Sequence, residues 1–125
     1  MNPGRRWIAA RIRNERRALE RARRKFLRDP GEESLHDVRT TGRRLRSLLE
    51  DVRDLVARPR LLRKVKAAAR VTDAARDAAI LMTLLESSVD PGERDIAGPL
   101  FDELARRRRS ATKAARRALR AVRFA

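Results

Sequence analysis

The chain has 125 residues, of which 42% are hydrophobic and 40% charged, and it contains no cysteine. A chain of this length holds one domain with one core, and the lack of thiols excludes disulfides and cysteine-ligated metal sites. The formal net charge of +16 favours an anionic partner, because such a partner relieves the self-repulsion of the folded chain.

Aromatic residues make up only 3% of the chain. Binding of single-stranded nucleic acid by base stacking needs aromatic side chains, so this mode is disfavoured. The longest apolar run, residues 78–82, is far shorter than the ~20 residues of a transmembrane helix. We therefore expect a soluble, cytoplasmic protein that does not bind membranes.

A first helix is predicted over residues 3–28 from apolar residues that recur at helical spacing. The apolar stripe consists of Ile8, Ile12, Leu19, Ala22 and Phe26. Arg5, Arg16 and Arg23 follow one edge of the stripe, where a solvated role is favoured over a part in a binding site.

A second helix is predicted over residues 30–57. Its start is indicated by Asp29 as the cap, Pro30 at the first helical position and Glu32 completing a capping box. The same four letters recur at residues 90–93, before the fourth helix. Both helices are therefore expected to begin in the same way, as parts of two long helical hairpins.

Two stripes run along this second helix. One is an apolar seam of Leu35, Val38, Gly42, Leu45, Leu49 and Val52. The other is a cationic row one residue later, formed by His36, Arg39, Arg43 and Arg46. The row covers about 15 Å at 1.5 Å per residue, which suits a chain of phosphates better than one small anion. A solvated basic edge remains the alternative.

The third helix is predicted over residues 59–86, because Pro59 ends the second helix and suits a new first turn. Its apolar face is rich in small residues, so its rotation, and the direction of Arg63, Lys66 and Arg70, stays open. The fourth helix is predicted over residues 91–123, with a kink or restart at Gly98-Pro99. Arg108 occupies one of its apolar seam positions and needs an ion-pair partner or an anion there.

These patterns predict an all-α protein: residues 1–125 form one domain, an antiparallel four-helix bundle built of two hairpins. With one histidine, no cysteine and no glycine-rich phosphate loop, we expect neither a metal nor another cofactor, and no enzymatic activity.

Residues 35–46, L-H-D-V-R-x-x-x-R-R-L-R, resemble the signature of the CHAD family, the conserved-histidine α-helical domains. Lys66 followed by Arg76-Asp77 is similar to that family's basic helix with an A-R-D motif. The resemblance implies a central basic groove that binds inorganic polyphosphate, and association with triphosphate- or polyphosphate-metabolising enzymes, including at polyphosphate granules. The residues matched to this groove are His36, Arg39, Arg43, Arg46, Lys66 and Arg76, with Arg44, Arg70, Arg107 and Arg108 as looser assignments.

The family's usual domain is similar to two four-helix units, and this chain holds one. The resemblance therefore implies a homodimer that completes an eight-helix assembly around a shared groove. An alternative that the charge alone supports is a helical protein that binds the backbone of DNA or RNA.

Overall fold

The computed structural model describes residues 2–124, which form four helices and no strand. The helices are α1 (Pro3–Arg28), α2 (Glu32–Asp51), α3 (Pro59–Ser88) and α4 (Arg94–Arg120), and a 3₁₀ turn (Pro91–Glu93) precedes α4. The all-α class and the number of helices agree with the prediction from the sequence.

Each helix packs against the next in the chain, and α4 returns to α1. Neighbouring helices run antiparallel, as the pairing of α2 with α3 shows: Arg39 contacts Asp73, whereas Glu50 lies near Lys66. The sequence number thus rises along one helix as it falls along the other. The four helices form two hairpins packed side by side.

The core is formed by the predicted apolar stripes. On α1 the buried residues include Ile12, Leu19, Ala22 and Phe26, and on α2 they include Leu35, Val38, Leu45 and Leu49. The rotation of α3 is now defined, because Leu61, Val65, Ala68, Thr72 and Ala75 are all buried. The seam of α4 is shallower, with Leu104, Ala115 and Leu119 buried.

The predicted end of α2 at residue 57 is wrong, since the helix ends at Asp51. Its last turn carries Glu50 and Asp51 and no basic residue, and negative charge is unfavourable at a helix C-terminus. The chain then turns, with Leu55 and Val56 donating backbone hydrogen bonds to the Val52 carbonyl. This turn brings Val52 and Val56 against the core.

The two repeated tetrapeptides begin their helices differently, which corrects the expectation of identical starts. Before α2, the Ser34 hydroxyl accepts from the Gly31 N–H and donates to the Asp29 carbonyl, and the helix begins only at Glu32. Before α4, Glu93 accepts from the Asp90 backbone N–H at 3.2 Å, as a capping box requires. At Pro99, α4 continues as one helix instead of restarting.

A buried ion pair joins α1 to the end of α4. Arg23 donates to Glu20 at 2.9 Å and to the carbonyls of Leu119 (2.6 Å) and Arg120 (3.2 Å). Glu20 also accepts from the Phe124 backbone N–H. These bonds satisfy carbonyls that a helix C-terminus leaves without partners. A solvated role for Arg23 is therefore wrong.

Arg16, about two helical turns before Arg23 on α1, also links this helix to the C-terminal segment. Its Nε donates to the Phe124 carbonyl at 2.6 Å, and Phe124 itself is fully buried. Burial first, and the nearby Arg58 charge second, lower the pKa of Arg16. Two of the three arginines along the edge of α1, Arg16 and Arg23, thus hold the C-terminal segment, whereas Arg5 is exposed.

The link predicts a difference between two adjacent arginines. Arg23 and Arg24 both contact Glu20 at 2.9 Å, but Arg23 is buried and Arg24 is exposed. Arg23→Ala leaves buried polar groups without partners, so we expect it to lower the free energy of unfolding by about 3 kcal/mol. Arg24→Ala should cost less than about 1 kcal/mol. Urea unfolding followed by circular dichroism measures both, and equal effects would contradict the role of Arg23.

Candidate functional site

A cleft of about 250 Å³ lies between α2 and α3. Five of the cations predicted from the sequence line it: His36, Arg39, Arg43 and Arg46 on α2, and Arg76 on α3. Cationic side chains therefore reach the same cavity from two helices. We call this cavity the α2–α3 cleft.

Small residues keep the cleft open. Gly42 lies on the α2 wall, and Ala68, Ala69 and Thr72 lie on the α3 wall. Their side chains are too short to fill the space between two helices, which lie 8–10 Å apart when well packed. The hydroxyl of Thr72 already donates to the Ala68 carbonyl at 2.9 Å, so this buried polar group is satisfied without a ligand.

Carboxylates already pair with two of the cations that line the cleft. Arg39 donates to Asp73 at 2.5 Å and to the Thr72 hydroxyl at 3.3 Å. At the end of the cleft near Lys66, Glu50 accepts from Arg46 at 3.1 Å, and the Lys66 ammonium lies 3.9 Å from the same Glu50 oxygen. An anion that enters the cleft competes with these two carboxylates.

Two other arginines of the cleft are unpaired. Arg43 and Arg76 line the cavity and are exposed, and neither forms an ion pair with any residue in the described part of the chain. The His36 ring also faces the cavity, where its Nε2 lies 3.4 Å from the Thr40 hydroxyl. Arg43 thus lies between the paired Arg39 and Arg46 along α2, whereas Arg76 and His36 lie at the end of the cleft that adjoins the start of α2.

Lys66 lies at the edge of the cleft, next to Arg46 through Glu50. The four looser assignments do not line the cleft, and their predicted place in it is corrected. Arg44 and Arg70 are exposed outside it, because a helical residue next to Arg43 projects about 100° away. On α4, Arg107 pairs with Glu103 at 3.1 Å, and Arg108 lies 3.8 Å from Glu32.

The ion pairs on α4 involve Glu103 and Arg108. Hydrogen bonds from Arg106 and Arg107 lower the pKa of the Glu103 carboxyl. Arg108 was expected to face inward and to need a partner, but its side chain is 41% exposed. Its partner is Glu32, at the start of α2.

Sequence reasoning did not assign Thr72 and Asp73 to the cleft, which both residues line. A signal for Asp73 was present, because it lies seven residues after Lys66 and so on the same face of α3. The partner of that carboxylate, Arg39, required knowledge of how α2 and α3 face each other.

A second cavity, of about 390 Å³, adjoins the cleft. The two cavities share His36, Arg39 and Arg76. Its other walls are mostly apolar and include Leu35, Ala79, Ile80 and Leu84, with Glu32 and Thr83 as further polar residues. The cationic surface is thus continuous with a more apolar recess toward the start of α2.

The family model described as CHAD domain matches residues 10–125, nearly the whole chain. The chain belongs to the CHAD domain family. This domain is associated in general with the binding of polyphosphate and triphosphate. No curated protein and no solved structure matches the chain significantly.

Residues 2–124 contain neither a helix that could span a membrane nor a cluster of metal ligands. No helix in that range is long and apolar enough to cross a bilayer. The same residues contain no group of three or more His, Asp or Glu side chains arranged to hold a metal ion.

Proposed function

We propose that this CHAD domain binds inorganic polyphosphate in the α2–α3 cleft, as a non-catalytic binding module. The observation that carries the proposal is the convergence of Arg43, Arg76 and His36 from two helices on one cavity. Arginine suits this task, because its planar fork binds phosphate oxygens in pairs. The cationic row of α2 extends the contact along about 15 Å of a linear anion.

Asp73 and Glu50 already pair with cations of the cleft, so an anion must displace them to bind there. We therefore expect a polymer of phosphates to bind in the cleft more tightly than a single phosphate group. Arg43 and Arg76 anchor one part of the chain, which raises the local concentration of the neighbouring phosphates. Those phosphates then displace Asp73 from Arg39 and Glu50 from Arg46. In the absence of polyphosphate, the carboxylates act as internal counterions and reduce repulsion within the cleft.

The contacts of the single histidine support the proposed non-catalytic role. The polar neighbour of the His36 ring is the Thr40 hydroxyl, not a carboxylate that would orient and activate it as a base. We propose that its task is to donate a hydrogen bond to the anion. Enzymes that metabolise triphosphate or polyphosphate are the proposed functional partners, as suppliers or consumers of the bound polymer.

The first test removes the two unpaired arginine charges of the cleft. We expect Arg43→Gln/Arg76→Gln to weaken polyphosphate binding by about 10- to 100-fold, because each lost charge-assisted hydrogen bond contributes about 1 kcal/mol or more. Isothermal titration calorimetry with long-chain polyphosphate measures the change. Circular dichroism verifies that the variant keeps its helices.

The matched control is Arg44→Gln/Arg70→Gln, which removes the same charge from exposed positions outside the cleft. Its effect should be clearly smaller. Equal weakening by the two double variants would show that polyphosphate responds to total charge, and the cleft would then not be the site.

The second test releases a cation that is already paired. Asp73→Asn frees Arg39, so we expect it to strengthen polyphosphate binding about two- to fivefold, the value of a partly exposed ion pair. Asp77→Asn changes the net charge equally, one turn further along α3, and Asp77 has no ion pair within residues 2–124. If both variants bind alike, displacement of Asp73 is not part of binding.

We propose in addition that two copies of the chain form a homodimer. The support is a set of exposed apolar side chains near the adjoining ends of α3 and α4: Ile80, Leu81, Leu84, Ile96 and Leu100. Two of them, Ile80 and Leu84, also line the second cavity beside the cleft. Large exposed apolar patches mark interaction sites, because water disfavours them. A second copy that covers this surface would bring a second cleft near the first, as in an eight-helix assembly.

Sedimentation equilibrium tests the dimer. We expect the wild-type chain to sediment as a dimer and Leu81→Glu/Ile96→Glu as a monomer, because the new charges oppose burial. Leu55→Glu, at an exposed leucine in the α2–α3 turn, is the control and should stay dimeric. A wild-type monomer both with and without polyphosphate would contradict the proposal.

A further inference from the structure

The C-terminal half of α4 carries a dense group of cations that the cleft does not use. Residues 104–125 contain nine basic residues and no acidic one. Six of the nine line an open depression. One of the six, Arg108, pairs with Glu32, and we call the other five the α4 basic face: Arg109, Lys113, Arg116, Arg117 and Arg120. At 100° per residue they lie along one side of the helix, over about 17 Å.

This face has no internal counterions. Arg109, Lys113, Arg117 and Arg120 are exposed, and their side chains have no hydrogen bond or ion pair to any residue within 2–124. Pairs such as Arg109 and Lys113 repel each other at i,i+4 spacing, which destabilises a helix. The cleft is the opposite case, since carboxylates pair with two of its arginines, Arg39 and Arg46.

Arg116 fixes the position of the α4 basic face. It donates to the Leu27 carbonyl at 3.2 Å, and its Nε is buried without an acceptor. This part of α4 is thereby held against the end of α1. An anion that binds there meets a row of charges whose spacing is fixed by the helix backbone.

The shape of the face indicates which anion fits it. The cations project from a single helix, so they reach a thin, flexible chain from one side only, whereas the cleft reaches it from two. A duplex presents a stiff row of phosphates, one per about 3.4 Å along each strand, so 17 Å of helix faces about five of them. Thr112, in the same depression, adds a hydroxyl of the kind that donates to phosphate oxygens.

Aromatic residues distinguish a duplex from a single strand. Single-strand binders stack bases on aromatic side chains, and none of the residues around the depression is aromatic. Phe124, the nearest aromatic residue in sequence, is fully buried. We propose that the α4 basic face binds the phosphate backbone of double-stranded nucleic acid, without regard to base sequence, as a site separate from the α2–α3 cleft.

The experiment compares two double variants of the full chain. Lys113→Gln/Arg117→Gln alters the α4 basic face, and Arg43→Gln/Arg76→Gln removes the same charge from the cleft. Fluorescence anisotropy measures binding of a labelled DNA duplex of mixed sequence over a range of salt concentrations. The same proteins are titrated with long-chain polyphosphate, and circular dichroism verifies their helical content.

We expect the α4 variant to bind duplex about tenfold more weakly and to reduce the slope of log affinity against log salt by about 2, one for each lost phosphate contact. The cleft variant should change that slope clearly less. In the polyphosphate titration the order should be reversed.

Three results would overturn the inference. The wild-type chain could fail to bind duplex at physiological salt, or the two variants could weaken duplex binding equally. The α4 variant could also weaken polyphosphate binding as much as the cleft variant does, which would assign this face to the polyphosphate path. The cleft proposal is judged separately, by the effect of the cleft variant on polyphosphate.

Discussion

Repulsion among cations is the constraint on which this structure depends. A net charge of +16 on 125 residues opposes a compact fold that has only one core. Carboxylates reduce that repulsion in two places: Glu20 lies buried between Arg23 and Arg24, and Asp73 and Glu50 pair with cations of the cleft. Glu50 lies between Arg46 of α2 and Lys66 of α3, two cations that would otherwise repel each other across the two helices.

The remaining positive charge is distributed over two different surfaces, the α2–α3 cleft and the α4 basic face. In the α2–α3 cleft the cations converge and are partly compensated, which suits exchange of a carboxylate for a phosphate. The cations of the α4 basic face diverge from one helix and have no carboxylate partner within residues 2–124. The net charge alone therefore does not predict how this chain binds anions. The two surfaces differ in whether their cations converge on one cavity and in whether carboxylates pair with those cations.

Much of the fold could be predicted from the sequence because it depends on local patterns. The apolar seam of α2 predicted the burial of Leu35, Val38, Leu45 and Leu49, and the row one residue later predicted four residues of the cleft. Helix ends were less predictable. The sequence 29–32 resembles a capping box, but Ser34 forms the cap, and α2 ends early because Val52 and Val56 pack on the core.

By itself, the sequence determined the class of the fold, the faces of the helices and the cationic row, since helical periodicity is a property of each segment. Only the tertiary structure decided that Arg39 meets Asp73, that Arg23 holds the end of α4, and that Arg44 and Arg70 stay outside the cleft. Those contacts join residues far apart in the chain. They depend on the rotation of each helix against its neighbour, which small residues such as Ala68 and Ala69 leave undetermined in the sequence.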